Sequence, residues 1–468
     1  MKKTLLLTGM LGIIILAAAN IDLINLIGYS TQTHPTYITK NNTPNNNPIT
    51  DKGATLGRVL FYDKKLSVNN TIACSNCHQQ QFAFGDTATQ SIGFNGELTD
   101  RHSMRLVNAR FGNEMKFFWD ERASNLENQT TQPIQNHVEM GFSNTNGDPG
   151  LDSLISKMQA ISYYPQLFQF VYGSTQITET KIQQALAQFV RSIQSFDSKY
   201  DIGRAQVASD NVDFPNFTTI ENEGKRLYLA APGGNNGGAG CQGCHGAPEF
   251  DIAPNTLNNG IIANATDSNV TDLTNTRAPS LRDVVNAQGV PNGPFMHNGK
   301  LKSLLQVINH YNSISAVAAN TNLDPKLLRP GGLGQNLNLT TDQKNALISY
   351  LRTLTGTDIY TNTRWSNPFD ANGNLTIIPI TTGLSQTVHS GNIVIYPNPA
   401  SDYITVQLPS GNFFLSIYSL EGKLLKQSSV KNNEQHNISE LENGVYILRV
   451  TGMDSDLHFT KKLYKTAQ

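Results

Sequence analysis

Three stretches place apolar residues at helical spacing. Ile182, Leu186, Phe189 and Ile193 mark a helix within residues 177–196. Leu304, Val307, Ile308 and Tyr311 share one face behind a capping Ser303. Thr340 and Gln343 form a capping box ahead of Leu347, Leu351 and Leu354, with Gly356 as the expected stop. Towards the C-terminus the period drops to two. Ile404, Val406 and Leu408 alternate with Thr405 and Gln407, a β-branched run follows at residues 445–450, and Glu421-Gly422 and Asn443-Gly444 supply turns. The pattern predicts a mainly α region followed by a small all-β sandwich.

The ends and joints are read from polarity. Lys2 and Lys3 precede an apolar run over residues 5–19 that closes in Ala17-Ala18-Ala19, the form of a signal peptide over 1–19. An uncleaved anchor is the rival, but Asp22 and Asn25 interrupt the run short of a full span. No cysteine follows, so no lipoprotein anchor is expected. Residues 20–50, with Asn41, Asn42, Asn45, Asn46 and Asn47, read as a polar linker that cannot order itself. Residues 358–390 read as a second linker and 391–468 as the β module, which lacks any acid/base cluster. With 468 residues, 15% charged and a formal net charge of −1, the chain has no basic surplus with which to meet nucleic acid.

Chemistry enters with the cysteines. Cys74-Ser75-Asn76-Cys77-His78 recurs as Cys241-Gln242-Gly243-Cys244-His245, 167 positions on, and these motifs hold all four cysteines of the chain. Cys-x-x-Cys-His is the attachment signature of a c-type haem: two thiols become thioethers and the next imidazole reaches the iron. A redox pair or half a zinc site would need no adjacent histidine, so two haem c groups are the expected cofactors. The motifs divide the α region into haem domains over 51–210 and 211–357. A Gly-rich loop (Gly233, Gly234, Gly237, Gly238, Gly240) leads into the second motif.

Further stretches carry a resemblance. Phe117-Phe118-Trp119-Asp120-Glu121-Arg122-Ala123, Leu126-Glu127-Asn128-Gln129 and Glu139-Met140-Gly141 are three of them. Ala278-Pro279-Ser280-Leu281-Arg282 and Pro294-Phe295-Met296-His297-Asn298-Gly299 are two more. Over residues 52–357 the chain resembles the bacterial dihaem cytochrome c peroxidases and the related tryptophan-modifying dihaem enzyme of methylamine metabolism. Tyr396-Pro397-Asn398-Pro399-Ala400 makes the β module similar to the sorting domain of type IX secretion cargo. The resemblance implies that His78 is the proximal ligand of a peroxidatic haem and His245 that of an electron-transfer haem. It implies Glu139 as distal acid/base, Gln129 as the group that orients peroxide, and Trp119 as a relay between the haems. Taken alone, Glu139 would read as a surface carboxylate and Trp119 as a core aromatic.

Two departures from the family follow. Phe94 stands where activatable peroxidases carry a blocking histidine, and His102 replaces an asparagine that helps to hold calcium, so calcium would lack that ligand. Tyr311 falls where peroxidases carry a distal methionine, as in the tryptophan-modifying relative, with Met296 as its rival. The expectation is an exported protein, surface-attached, secreted or otherwise periplasmic, that reduces hydrogen peroxide with electrons from a small redox protein or other donor. The secretion machinery and a second copy in a homodimer complete the expected partners. The rival readings are an oxidase modifying a protein or organic substrate through high-valent iron, and a dihaem electron carrier without catalysis.

Overall fold

The computed structural model describes residues 20–467 apart from 234–236, 253, 275–276, 379–392, 409–410, 421 and 453–457. The signal-peptide reading, and Gly234 of the Gly-rich loop, lie outside the described residues. The chain divides into two compact units at residues 378 and 379. Helices of the first are α1 (Asp51–Tyr62), α2 (Cys74–Cys77), α3 (Leu126–Thr130), α4 (Leu151–Gln159), α5 (Tyr163–Tyr172) and α6 (Glu179–Ser192). α7 (Lys199–Arg204), α8 (Thr219–Leu229), α9 (Leu304–Asn312) and α10 (Thr341–Arg352) follow. Its strands are short: β1 (Asn20–Asp22), β2 (His245–Gly246), β3 (Asp251–Ile252), β4 (Leu328–Arg329), β5 (Leu333–Gly334) and β6 (Thr376–Ile378).

Each half of this unit is built on one close helix crossing. A Cβ at Gly57 of α1 would stand 2.0 Å from the Ala185 carbonyl oxygen of α6. One at Gly224 of α8 would stand 2.0 Å from the Ala346 carbonyl oxygen of α10. Glycine is required at both points because the backbones approach within side-chain distance. Around the first crossing lie Leu56, Leu60, Phe61, Leu186 and Phe189; around the second lie Leu227, Tyr228, Leu347 and Tyr350. Side-chain caps hold the helix starts: Thr178 on α6, Ser303 on α9, and capping boxes at Thr218/Glu221 and Thr340/Gln343.

Four readings of the sequence are corrected here. Residues 20–50 are not a loose linker. β1 pairs in parallel with β6, Ile21, Leu23, Tyr29 and Ile38 are buried, and Asn42 and Asn47 are buried with hydrogen-bond partners. The segment is ordered both by the apolar side chains it adds to the core and by the hydrogen bonds its asparagines make elsewhere in the chain. Residues 358–378 likewise send Ile359, Trp365 and Phe369 into the first core. The second core begins ten residues before the expected boundary, at Tyr200, whose ring lies 4.8 Å from that of Phe250. Gly356 is not a helix stop, since α10 ends at Arg352; its amide donates to Asp283 Oδ1 at 2.8 Å, and a Cβ there would meet Asp197 Oδ1 at 2.3 Å.

The second unit has two antiparallel sheets. One holds β10 (Leu424–Val430), β9 (Phe413–Tyr418), β12 (Gly444–Gly452) and β13 (His458–Lys465) in that order. The other holds β11 (Glu434–Asn437), β8 (Tyr403–Gln407) and β7 (Val394–Tyr396). Ile404 and Val406 of the second sheet share one core with Leu415, Ile417, Leu448 and Val450 of the first, which makes a sandwich. Gly422 takes φ 85° in the β9–β10 turn, whereas Asn443-Gly444 opens β12 on a crossing between sheets.

Candidate active site

Cys74, Cys77 and His78 stand on the wall of a cavity of about 790 Å³, and Cys241, Cys244 and His245 on that of a second of about 420 Å³. Both volumes suit an enclosed cofactor. α2 is a single turn carrying both thiols of the first motif, and the His78 amide closes it on the Cys74 carbonyl at 2.9 Å. His78 Nδ1 faces the Phe84 carbonyl oxygen at 3.3 Å. A carbonyl only accepts, so Nδ1 carries the proton and Nε2 keeps its lone pair for a metal. His245 is set by its backbone, whose carbonyl accepts from the Tyr228 hydroxyl, and its ring faces the Pro279 carbonyl.

Burial pushes the Cys74 and Cys241 thiols up to about 12, and Cys77 and Cys244 to about 11. Such thiols are not activated as redox or metal thiolates. Among the described residues no three His, Cys, Asp or Glu side chains gather as a metal site. Paired buried thiols, an adjacent histidine and a largely apolar chamber do fit a thioether-linked haem at each motif.

Gln129 and Glu139 line the first cavity together with the haem motif. Asn125 caps α3, which presents Gln129. Asn136 Oδ1 accepts from the amides of Val138 and Glu139 at 2.9 and 3.1 Å, and Gly141 turns the chain at φ 87°. This turn delivers Glu139. Burial raises its carboxyl to about 7, with Asp100 adding to the rise and Arg122 opposing it. Arg122 and Asp100 line the same cavity; Arg122 falls in the Phe117–Ala123 stretch, whereas Asp100 carried no sequence signal. Phe94 packs its ring over Gly141, where a Cβ would fall 2.6 Å from its Cζ, and has no metal-binding atom. His102 is buried, its Nδ1 donating to the Ala88 carbonyl at 3.0 Å, and burial brings its pKa down to about 4.

The second cavity receives both Met296 and Tyr311. The Asn259 carboxamide donates to Met296 Sδ at 3.3 Å and to the Tyr311 hydroxyl at 3.4 Å, so the two rivals face one point. Burial holds the Tyr311 phenol well above its ordinary pKa, with Asn259 opposing. Asn259 was missed in the sequence, where nothing distinguishes it from its Asn neighbours.

Trp119 lines both cavities, together with His102, Met104, Arg105 and Pro279. Its indole donates to the His102 carbonyl at 2.7 Å and meets the His297 ring edge-on, centroids 6.4 Å apart. The wall is thus one residue thick at an aromatic ring. Arg105 in it carried no sequence signal.

Residues 51–207 match the family model described as Di-haem cytochrome c peroxidase, and residues 394–466 that of the Secretion system C-terminal sorting domain. The methylamine utilization protein MauG of Methylophilus methylotrophus is 30% identical over 67% of this chain and 85% of its own length. Cytochrome-c peroxidase IdrP1 of Denitromonas iodatirespirans is 27% identical over 67% and 84%. A crystal structure of a MauG-like protein associated with microbial copper homeostasis superposes with TM-score 0.56 at 28% identity, covering 71% of this chain and 98% of that one. No helix among the described residues is long and apolar enough to cross a membrane.

Proposed function

The chain belongs to the di-haem cytochrome c peroxidase family, and from that premise we propose an exported dihaem peroxidase that reduces hydrogen peroxide with electrons from an external donor. Cys74, Cys77 and His78 would hold one haem c and Cys241, Cys244 and His245 the other; when bound, the irons supply the redox chemistry. The observation that carries the reading is the carboxyl of Glu139, raised to about 7 by burial in the same cavity that His78 lines. At neutral pH it can take a proton from one peroxide oxygen and return it to the other, so that the latter leaves as water. Gln129, on the same wall, can both donate to and accept from peroxide and so hold its orientation. Phe94 offers no metal-binding atom at the place of the family's blocking histidine, which supports reaction in the fully oxidised protein. Trp119 is the proposed electron relay, as the aromatic ring common to both cavity walls.

For the second haem, Tyr311 is the proposed distal ligand. The choice over Met296 rests on the family resemblance, since the Asn259 amide donates to both side chains. A tyrosinate oxygen favours ferric and higher states, the feature that keeps an oxidase acting on a protein or organic substrate as the second reading. His102 stands where the family's calcium-binding asparagine falls, with its Nδ1–H directed at the Ala88 carbonyl, so that nitrogen adds no ligand to a calcium ion. The sorting-domain match supports delivery by the secretion machinery to the surface or medium.

Rapid mixing of the oxidised protein with peroxide tests the proposal. The rate should rise as pH is raised through about 7, because the carboxylate form of Glu139 is the base and protonation removes it. Glu139→Gln should lose about 10²–10⁴-fold in turnover and flatten that profile while both haem spectra persist. Near-normal turnover in the variant would remove Glu139 from the mechanism.

A further inference from the structure

Arg105 stands in the wall that the two cavities share. Its stem runs past Gly85, where a Cβ would come within 2.8 Å of Arg105 Cγ, so glycine makes room for it. One hydrogen bond is present, from Nη2 to the Ser280 carbonyl at 3.1 Å; Nε is buried and meets no acceptor among the described residues. The carboxylate whose charge acts on it is Asp283, whose Oδ1 takes the Gly356 amide at 2.8 Å and the Tyr360 hydroxyl at 3.2 Å. A guanidinium has five N–H donors, so four remain here with no protein carboxylate bonded to them. A charge in a low-dielectric wall demands a counter-charge.

We propose that Arg105 is a shared anchor for cofactor carboxylates, its guanidinium holding one from the haem in each cavity. The proposal rests on the two-haem reading above, since haem carries two carboxylate side chains. A planar fork bonded on both edges suits this role, whereas an ammonium provides the charge without the fork. Arg105 is therefore a positioning residue that also ties the two redox potentials to one charge.

The test is redox titration of both haems in holoprotein whose haem content has been established by mass. Arg105→Gln removes the positive charge, so the ferric form of each haem gains relative to the ferrous. Both oxidised-to-reduced ratios should shift about tenfold, which is about 59 mV downward for a one-electron couple. Arg105→Lys should keep both within about threefold of wild type. A stability change with either potential unmoved in a two-haem Arg105→Gln protein would overturn the shared anchor. If that variant does not accumulate, the redox-difference infrared spectrum of wild-type protein with isotope-labelled haem carboxylates decides. Ionised carboxylates from both haems at pH 5 support the anchor, and a protonated band from either overturns it. Fewer than two haems in wild type would instead overturn the underlying reading, and with it the proposal.

Discussion

The two halves of the first unit repeat one design and diverge at one residue. Gly57 lies seventeen positions before Cys74, and Gly224 seventeen before Cys241. Phe117 and Ala123 bridge as Phe295 and Leu301 do, with Phe118 and Met296 both left-handed at φ 72° and 69°. Trp119 and His297 are then counterparts, and so are the helix caps Asn125 and Ser303. After the caps the halves part. α9 runs nine residues and carries Tyr311 into its cavity, whereas α3 runs five and ends at Thr130. Counted from the caps, Pro133 holds the place of Tyr311. Proline has no amide to donate and bars helix from the residue before it. The chain therefore leaves the helix, makes the Asn136 turn and delivers Glu139 instead. One half lines its cavity with a phenol on a helix; the other lines a larger cavity with a carboxyl on a turn.

Removing either pair of thiols should break the repeat most severely. Cys74→Ala with Cys77→Ala should leave one covalent haem and abolish peroxide turnover. Cys241→Ala with Cys244→Ala should also leave one haem, but with the peroxide-binding spectrum retained; mass and optical titration read both.

Tyr311→Phe asks whether the second cavity is closed by the helix-borne phenol. The spectrum of the His245 haem should change, to an open iron or to Met296 ligation, while that of the His78 haem stays as it was. An unchanged spectrum at the second haem would assign the ligand elsewhere.

Gly57→Ala and Gly224→Ala test the shared crossings. Each methyl would meet a carbonyl oxygen at 2.0 Å, so each variant should lose about 1–3 kcal/mol by thermal or denaturant unfolding. Comparable losses sharpen the equivalence, and a loss at only one crossing breaks it.

The smallest effect is expected from deleting residues 391–468, a separate unit without an acid/base cluster. Peroxide turnover should be unchanged, while export to the surface or medium in the native host should stop.

How much of this was legible depended on the reach of each interaction. The haem motifs, the helix faces of α6, α9 and α10, the caps at Ser303 and Thr340 and the period-two strands are local patterns, set by neighbours within a few residues. Those the sequence determined by itself. Gln129, Glu139 and Trp119 became legible through family motifs, since nothing local distinguishes a cavity glutamate from an exposed one. The order of residues 20–50 was not legible, because Asn42 and Asn47 are fixed by partners far along the chain, the Ala109 carbonyl and Glu127. Gly356 looked like a helix end and proved to be a point of close approach to Asp197. Only the tertiary structure brought Asn259 to both Met296 and Tyr311, and set Arg105 between two cavities. Desolvation and long-range packing decide such placements, and neither is written in the spacing of residues along a chain.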